Sequence, residues 1–262
     1  MTRQNYYRAR KEREANEVET EIIVNKVQEI RREHPKMGAR KLFHLLKKTL
    51  EQAGVKIGRD RFFKVLRDNG LLVLRKKRAV RTTYSCHNLP VFRNLVKDFD
   101  ITAPNQVWAS DITYVRVGDN FIYLSLITDA YSRKIVGWHA GNTLEAIGCL
   151  NALKSALIEL PKKCSPIHHS DRGCQYCCHA YVKMLQNAGL KISMTEQNHC
   201  YENALAERVN GILKDEYNLV ATFANKKQAV QAIKQAIKLY NEKRPHWALN
   251  CQVPAQVHEM TA

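Results

Sequence analysis

Residues 107–127 read VWASDITYVRVGDNFIYLSLI, and this stretch decides the fold. Val107, Trp108, Ile112, Tyr114 and Val115 predict a strand. Gly118-Asp119-Asn120 is a hairpin turn signal. Phe121 to Ile127 is a near-continuous apolar run, expected to be a second, buried strand. The turn Asp129-Ala-Tyr-Ser-Arg-Lys134 leads into a third strand, Ile135-Val136-Gly137-Trp138. Beyond it the pattern becomes helical over 143–160, with Leu144, Ile147, Leu150, Leu153 and Leu157 on one side. Residues 166–170 predict a short strand, 177–188 a helix and 191–194 a strand. Three antiparallel strands followed by alternating helix and strand predict an α/β domain, a mixed sheet flanked by helices.

Upstream, the reading is helical and basic. Ile22, Ile23, Val27 and Ile30 recur at helical spacing up to Pro35. A second helix follows Gly38, with Leu42, Leu45, Leu46 and Leu50, and is broken by Gly54 and Gly58. A third, 59–67, stops at Asn69-Gly70. Two short helices around a Gly-containing turn predict a helix-turn-helix. Arg59, Arg61, Lys64 and Arg67 flank the apolar stripe of the third helix, as a helix laid in a DNA groove requires. The run Arg75-Lys76-Lys77-Arg78 follows, in a segment without clear periodicity. The expected organisation is an all-α helix-turn-helix domain over 1–70, a basic linker over 71–103 that also touches phosphate, and an α/β core over 104–262 with a C-terminal helix.

The 262 residues suffice for two modest domains, and 45% apolar content supports a packed core. Lys and Arg total 42 against 25 Asp and Glu, a net of +17. Residues 1–100 hold 25 of those cations and 12 of the anions. The charge therefore sits in the front and points to a polyanion, nucleic acid ahead of an acidic membrane surface. No apolar stretch approaches the roughly 18–20 residues of a membrane span. The start Met1-Thr-Arg-Gln-Asn-Tyr-Tyr-Arg8 has no apolar signal core. A cytoplasmic, nucleoid-associated protein is expected, with its eight cysteines as thiols.

Acids are scarce in the apolar strands, so three stand out. Asp111 lies within the first strand, Asp171 ends the fourth, and Glu207 lies on a helix starting near Asn203. On that helix Leu205, Val209, Ile212 and Leu213 make the apolar face, with Asn203, Glu207, Asn210, Gly211 and Lys214 nearly opposite. Glu207 is thus expected to face a groove. Three carboxylates from two strands and a helix suit a pair of divalent cations, and hard oxygen ligands favour Mg²⁺, with Mn²⁺ as its substitute.

Thirty-five residues (172–206) separate Asp171 from Glu207. This spacing resembles the Asp-Asp-Glu transposases and retroviral integrases, and most closely the orfB-type transposases of two-frame bacterial insertion sequences. The matching residues are Trp108-x-x-Asp111-x-Thr113-Tyr114; Asp129-x-x-Ser132-Arg133 with Val136-Gly137-Trp138; His169-Ser170-Asp171-x-Gly173-x-Gln175-Tyr176; and Asn203-Ala204-x-x-Glu207 with Lys214. Tyr240-Asn241-x-x-Arg244-Pro245-His246-x-Ala248-Leu249 with Pro254 is similar to that family's C-terminal signature, and His34-Pro35-x-Met37-Gly38-x-Arg40-x-Leu42 to its helix-turn-helix. The resemblance covers roughly 20–255. It implies a ribonuclease-H-like core, with Asp111, Asp171 and Glu207 as catalytic metal ligands. It also implies cleavage and strand transfer on double-stranded DNA, at both the element's terminal repeats and the target. Paired-end chemistry implies a homo-oligomer, at least a dimer. A non-catalytic DNA-binding regulator derived from a transposase, and a ribonuclease-H-like nuclease that cuts without joining, are the alternatives. Many relatives have Ser and aromatic residues after the glutamate. Arg208-Val209-Asn210 stands there in this chain, and is expected to alter DNA contacts and not metal binding. Nothing before residue 100 matches the His-His-Cys-Cys zinc module of the integrases, since Cys86 is the one cysteine there.

Other residues carry two readings. Cys174, Cys177 and Cys178, near His168, His169, His179 and Cys200, suggest zinc, but packed thiols account for them better. His169 either orients groups beside the metals or caps its strand. Asp129 competes with Asp111 as first metal ligand, but its turn-like setting favours a structural role. Lys214 is expected to clamp a DNA phosphate. Arg244 and His246 either contact DNA or cap a helix end. Trp108 is expected to be core packing.

Overall fold

Apolar residues at helical spacing build the first part of the computed structural model, which describes residues 2–73, 89–196 and 203–260. The chain divides into two units, Met1–Ala79 and Val80–Ala262. In the first, α1 (Arg3–Glu33), α2 (Ala39–Gln52) and α3 (Arg59–Asp68) enclose Ile23, Val27, Leu42, Leu46, Leu50, Phe62 and Leu66. Pro35 cannot continue α1, and the chain turns after His34. Gly54 at φ +80° and Gly70 at φ +65° close α2 and α3. Each lets the next residue bond back into the helix, Val55 N–H to Leu50 O at 2.8 Å and Leu71 N–H to Leu66 O at 2.7 Å. Arg31 then donates to the Leu71 carbonyl at 2.6 Å, tying α1 to the end of α3. The first helix is much longer than its apolar pattern predicted. Its early turns rest on Thr2 as N-cap and on the pairs Arg8–Glu12 and Arg10–Glu14, which leave no apolar period to read.

The basic run Arg75, Lys76, Lys77 and Arg78 lies outside the described residues. The predicted linker over 71–103 is corrected in its second half. Leu89 and Phe92 pack on the core of the second unit, Val96 and Ile101 on a smaller cluster, and the Leu95 amide donates to Ser193 Oγ at 2.9 Å.

The second unit holds a five-stranded sheet in the order β3-β2-β1-β4-β5. The strands are β1 (Val107–Val117), β2 (Asn120–Asp129), β3 (Ile135–Gly141), β4 (Ile167–Ser170) and β5 (Lys191–Met194). β1 to β3 are antiparallel, while β4 and β5 run parallel to β1. This is the expected mixed sheet. Gly118, at φ +55°, turns the β1–β2 hairpin. One face packs on α4 (Ala146–Glu159) and α6 (His179–Asn187) through Trp108, Ile127, Leu153, Tyr181 and Leu185. The other packs on α7 (Ala204–Glu216) and α8 (Lys226–Lys243) through Val115, Leu124, Val209, Ile233 and Tyr240. α4 approaches β3 so closely that a Cβ on Gly137 would strike the Ala152 carbonyl and the Ala156 side chain. The helix predicted over 177–188 begins two residues later, as α6, after extended backbone at Cys178 that separates it from a short α5 (Cys174–Cys177). A short α9 (Pro254–Met260) follows a 3-10 turn, Trp247–Leu249.

β4 pairs with β1 only over Val107, Trp108 and Ala109. From Ser110 to Val115 the described ladder pairs β1 with β2 alone, so Asp111 stands where the sheet opens along one edge.

Candidate active site

β1 places Asp111 opposite Leu126, on the face that meets α7. Its Oδ1 accepts the Ile112 amide at 2.8 Å, and its Oδ2 accepts Asn210 Nδ2 from α7 at 2.7 Å. Asp171 follows the last residue of β4, and its Oδ1 accepts the Gly173 amide at 3.0 Å in the turn into α5. Glu207 lies in the first turn of α7 and is exposed. Burial pushes the Asp111 carboxyl up to about 7. The charge of Asp171 adds to that push and Glu207 adds less, while the bonds from Ile112 and Asn210 oppose it. A residue just past one strand and a residue on a helix thus both act on a carboxyl of another strand. Among the described residues no three His, Cys, Asp or Glu side chains stand close enough to grip an ion as they are. The donor set is nevertheless the kind a hard divalent cation takes. It consists of carboxylate oxygens, and Asp111 is held against like charge that a cation would relieve.

α7 docks beside these acids by polar contacts. Asn203 donates to the Ser110 carbonyl at 3.1 Å and Asn210 to Asp111, and both asparagines are buried. Glu207 was expected to face a groove with its polar stripe nearly opposite the apolar face, yet two members of that stripe, Asn203 and Asn210, lie against β1. The expectation that Asn210 bears on DNA contacts alone is likewise corrected, because it bonds a carboxylate of the trio. Sequence reasoning missed this contact. Its one signal is an amide three residues after Glu207, on the same helical face.

Beneath Asp111, the Ser110 hydroxyl and the Tyr181 hydroxyl both meet His168 Nε2, at 2.7 and 2.8 Å. Burial, reinforced by His169, pushes the His168 imidazole down to about 3, so it is neutral at physiological pH. His169 Nδ1 lies 2.9 Å from Ser193 Oγ on β5. Lys214 is half-buried on α7. Burial lowers its pKa, while the charges of Asp111 and Asp215 work the other way.

Asp129 has the opposite environment. It is fully buried and accepts the Asn105 amide at 2.7 Å, the Ser132 amide at 2.7 Å and the Ser132 hydroxyl at 2.6 Å, with His258 Nδ1 at 3.8 Å. Burial alone would raise its pKa. The nearby His258 imidazole and hydrogen bonds from Ser132 and Asn105 outweigh that and hold it below the usual carboxylate range. It is a turn-holding group, separate from the trio. Trp108 is buried and donates to Asn105 Oδ1 at 3.1 Å, as core packing requires.

Arg244 as a DNA contact is corrected. Its side chain is 1% exposed, and Nε and Nη2 bond Glu216 at 2.8 and 2.7 Å. Nη1 meets His246 at 2.8 Å, so the guanidinium is spent inside the fold. Arg61 is corrected in part. It bonds Asn16 at 2.7 Å and Glu19 at 2.6 Å on α1, which braces α3. Arg59 pairs with its neighbour Asp60 on the surface, and Lys64 and Arg67 are exposed on the same helix. The thiols near Asp171 make packing contacts. Cys177 Sγ lies 3.7 Å from Met194 Sδ, and Cys178 Sγ lies 3.3 Å from the Gln175 carbonyl.

Comparison with known proteins agrees with this geometry. Two family models, both described as integrase core domain, match residues 101–200 and 188–254. The 31 kDa protein of insertion element IS600 from Shigella sonnei is 37% identical over 223 residues, covering 83% of this chain and 82% of that protein. The transposase for insertion sequence element IS629 from Shigella sonnei is 29% identical over 226 residues, covering 86% and 75%. Among solved structures, a chain of the simian T-cell lymphotropic virus intasome, in complex with PP2A regulatory subunit B56 gamma, aligns over 84% of this chain and 74% of its own. The TM-score is 0.52 at 18% identity. At that identity the likeness is one of fold, the ribonuclease-H-like sheet flanked by helices.

Proposed function

The chain belongs to the integrase-core transposases of bacterial insertion sequences, and from that premise we propose that Asp111, Asp171 and Glu207 are its catalytic carboxylates, acting on the phosphodiesters of DNA. The observation that carries this reading is that Asp171 and Glu207 crowd a half-buried Asp111 held in place by Ile112 and Asn210, so that burial and their like charge push its carboxyl up to about 7. A structural carboxylate, such as Asp129, collects donors until its charge is comfortable. Asp111 instead shares its surroundings with two more acids, an arrangement that strands and helices do not need and that metal-assisted phosphoryl transfer does.

The three carboxylates would hold divalent cations, Mg²⁺ or in its place Mn²⁺. Such ions, when bound, acidify a water or 3′-hydroxyl and neutralise the charge gathering on a leaving oxygen. The protein's own groups prepare that site. Asn210 fixes one oxygen of Asp111, and the Gly173 amide fixes one of Asp171. His168, neutral and bonded to Ser110 and Tyr181, adds no charge below the site. Lys214 brings a cation within reach of Asp111's field, where a DNA phosphate would arrive. No serine or tyrosine need form a covalent link to DNA, because the hydroxyl freed by the first cut is the nucleophile of the second.

In this reading the three-helix unit is a helix-turn-helix that recognises the element's ends through Arg59, Lys64 and Arg67, aided by Arg75, Lys76, Lys77 and Arg78. The assembly on paired ends is at least a dimer. The test is a joining assay on labelled element ends with Asp111→Asn, Asp171→Asn and Glu207→Gln. Each variant should lose cleavage and joining while binding ends normally. Retention of strand transfer by any one of them overturns the assignment, and cleavage without joining by the unaltered chain would make it a nuclease.

A further inference from the structure

The β1–β2 hairpin carries aromatic rings toward its tip, on the sheet face opposite Asp111. Tyr114 pairs across the ladder with Tyr123, with ring centroids 5.7 Å apart at 79°. Phe121 stands on the same face, 6.2 Å from Tyr114 at 68°. Such edge-to-face contacts brace the rings against one another. They do not bury them, since Phe121 is 41% exposed and both tyrosines are half-buried. Tyr123's partner on β3 is Gly141, which has no side chain to lay over the rings. α4 meets the sheet lower down, where Gly148 faces Ser125.

Two cations frame the rings. Arg116, opposite Phe121 in register, holds its guanidinium carbon 5.1 Å from that ring's centroid. Lys214 reaches from α7 to the open side of β1, where its Nζ lies 5.7 Å from the Tyr114 centroid while still sensing the charge of Asp111. The lysine therefore joins the ring cluster to the carboxylates. Exposed, pre-braced rings flanked by positive charge are complementary to a single nucleic-acid strand, whose bases stack and whose phosphates seek cations. A closed duplex hides its bases and would use the cations alone.

We propose that Tyr114, Phe121 and Tyr123, with Arg116 and Lys214, form a stacking site for unpaired DNA bases on the hairpin face turned away from Asp111, with Lys214 bridging the rings and the carboxylates. It rests on the function proposed above, which supplies DNA as the neighbouring chain. The site would hold the strand end that opens next to the reacting phosphodiester and keep it from re-pairing.

The experiment measures binding of the full chain to a fluorescein-labelled oligodeoxythymidylate and to a duplex of equal length, in metal-free buffer. Phe121→Leu and Tyr123→Leu keep apolar bulk and remove the π face. Each should weaken oligothymidylate binding about tenfold, within the span expected for loss of one stacked base. Duplex binding should be unchanged. Tyr123→Phe, which keeps the ring, should bind as the unaltered chain does. Phe121→Trp, with its larger ring, should bind at least as tightly. Leucine variants that bind oligothymidylate normally overturn the proposal, as do variants that lose duplex binding in equal measure. The readout needs neither metal nor turnover. An unaltered chain that fails to cleave would therefore sink the function above without touching this measurement. Full cleavage with ring-independent binding would sink only the stacking site.

Discussion

Two regions of the same hairpin treat an aspartate in opposite ways. Where β2 ends, Asp129 accepts hydrogen bonds from Asn105 and Ser132, has a histidine nearby, and is held below the usual carboxylate range. Where β1 leaves the cover of β4, Asp111 has two donors and two acidic neighbours and is pushed up to about 7. Both are acids in an apolar sheet. The first is an anion whose partners make it part of the fold. The second is a carboxyl whose charge is disfavoured until something else balances it, which is the physical mark of a site.

Substitution should break the comparison cleanly at both ends. Asp111→Asn is expected to cut cleavage and joining by about three orders of magnitude or more, with folding and end binding intact, as a strand-transfer assay and a thermal melt would report. A variant that melts early while keeping residual activity in proportion to its folded fraction would move Asp111 into Asp129's class. Asp129→Ala should do the reverse. It strips a buried turn of its acceptor and should cost about 3 kcal/mol of stability, seen in denaturant titration. Arg244→Met should cost a similar amount, about 3 kcal/mol, by removing the buried guanidinium that bonds both carboxylate oxygens of Glu216. It should leave the salt dependence of DNA binding unchanged, and a shallower slope would restore Arg244 as a phosphate contact.

A pH series sharpens the contrast with a smaller effect. Asp111's folded pKa lies above its unfolded value, so the folded chain holds the extra proton between about pH 4 and 7. In metal-free buffer its contribution to stability is present at the low end of that window and is lost as pH rises through it. Asp129 has the opposite sign, and its contribution is lost as pH falls through its depressed pKa. Asp111→Asn should remove the loss toward pH 7, and Mg²⁺ should raise the melting temperature more at pH 8 than at pH 5. An equal rise at both pH values would argue against binding at this carboxyl. The smallest effect belongs to Arg61→Ala, at about 0.5–1 kcal/mol, because its ion pair with Glu19 is partly solvated.

Much of the sheet could be read from the chain because its signals are local. Gly118-Asp119-Asn120 announced the hairpin, and the apolar runs flanking it supplied β1 and β2. The two acids on strands and the one on a helix could be singled out because charge is rare in such company. What the sequence did not disclose depends on where helices land. Asn210 is an ordinary polar residue until α7 packs on β1 and brings it to Asp111. Arg244 is an ordinary surface cation until Glu216 closes on it from a different helix. The break at Cys178 escaped notice because nothing in its neighbours forbids a continuous helix; the backbone extends there all the same.

α1 holds only two fully buried residues, Ile23 and Val27, both in its second half. The turns before Asn16, where Arg61 first ties α1 to α3, therefore obey the thermodynamics of an isolated peptide and not those of a packed domain. Brief trypsin treatment should trim the chain at Arg8, Arg10, Lys11 or Arg13 while the three-helix core stays intact. Amides up to about residue 14 should exchange with deuterated water long before those around Ile23 and Val27.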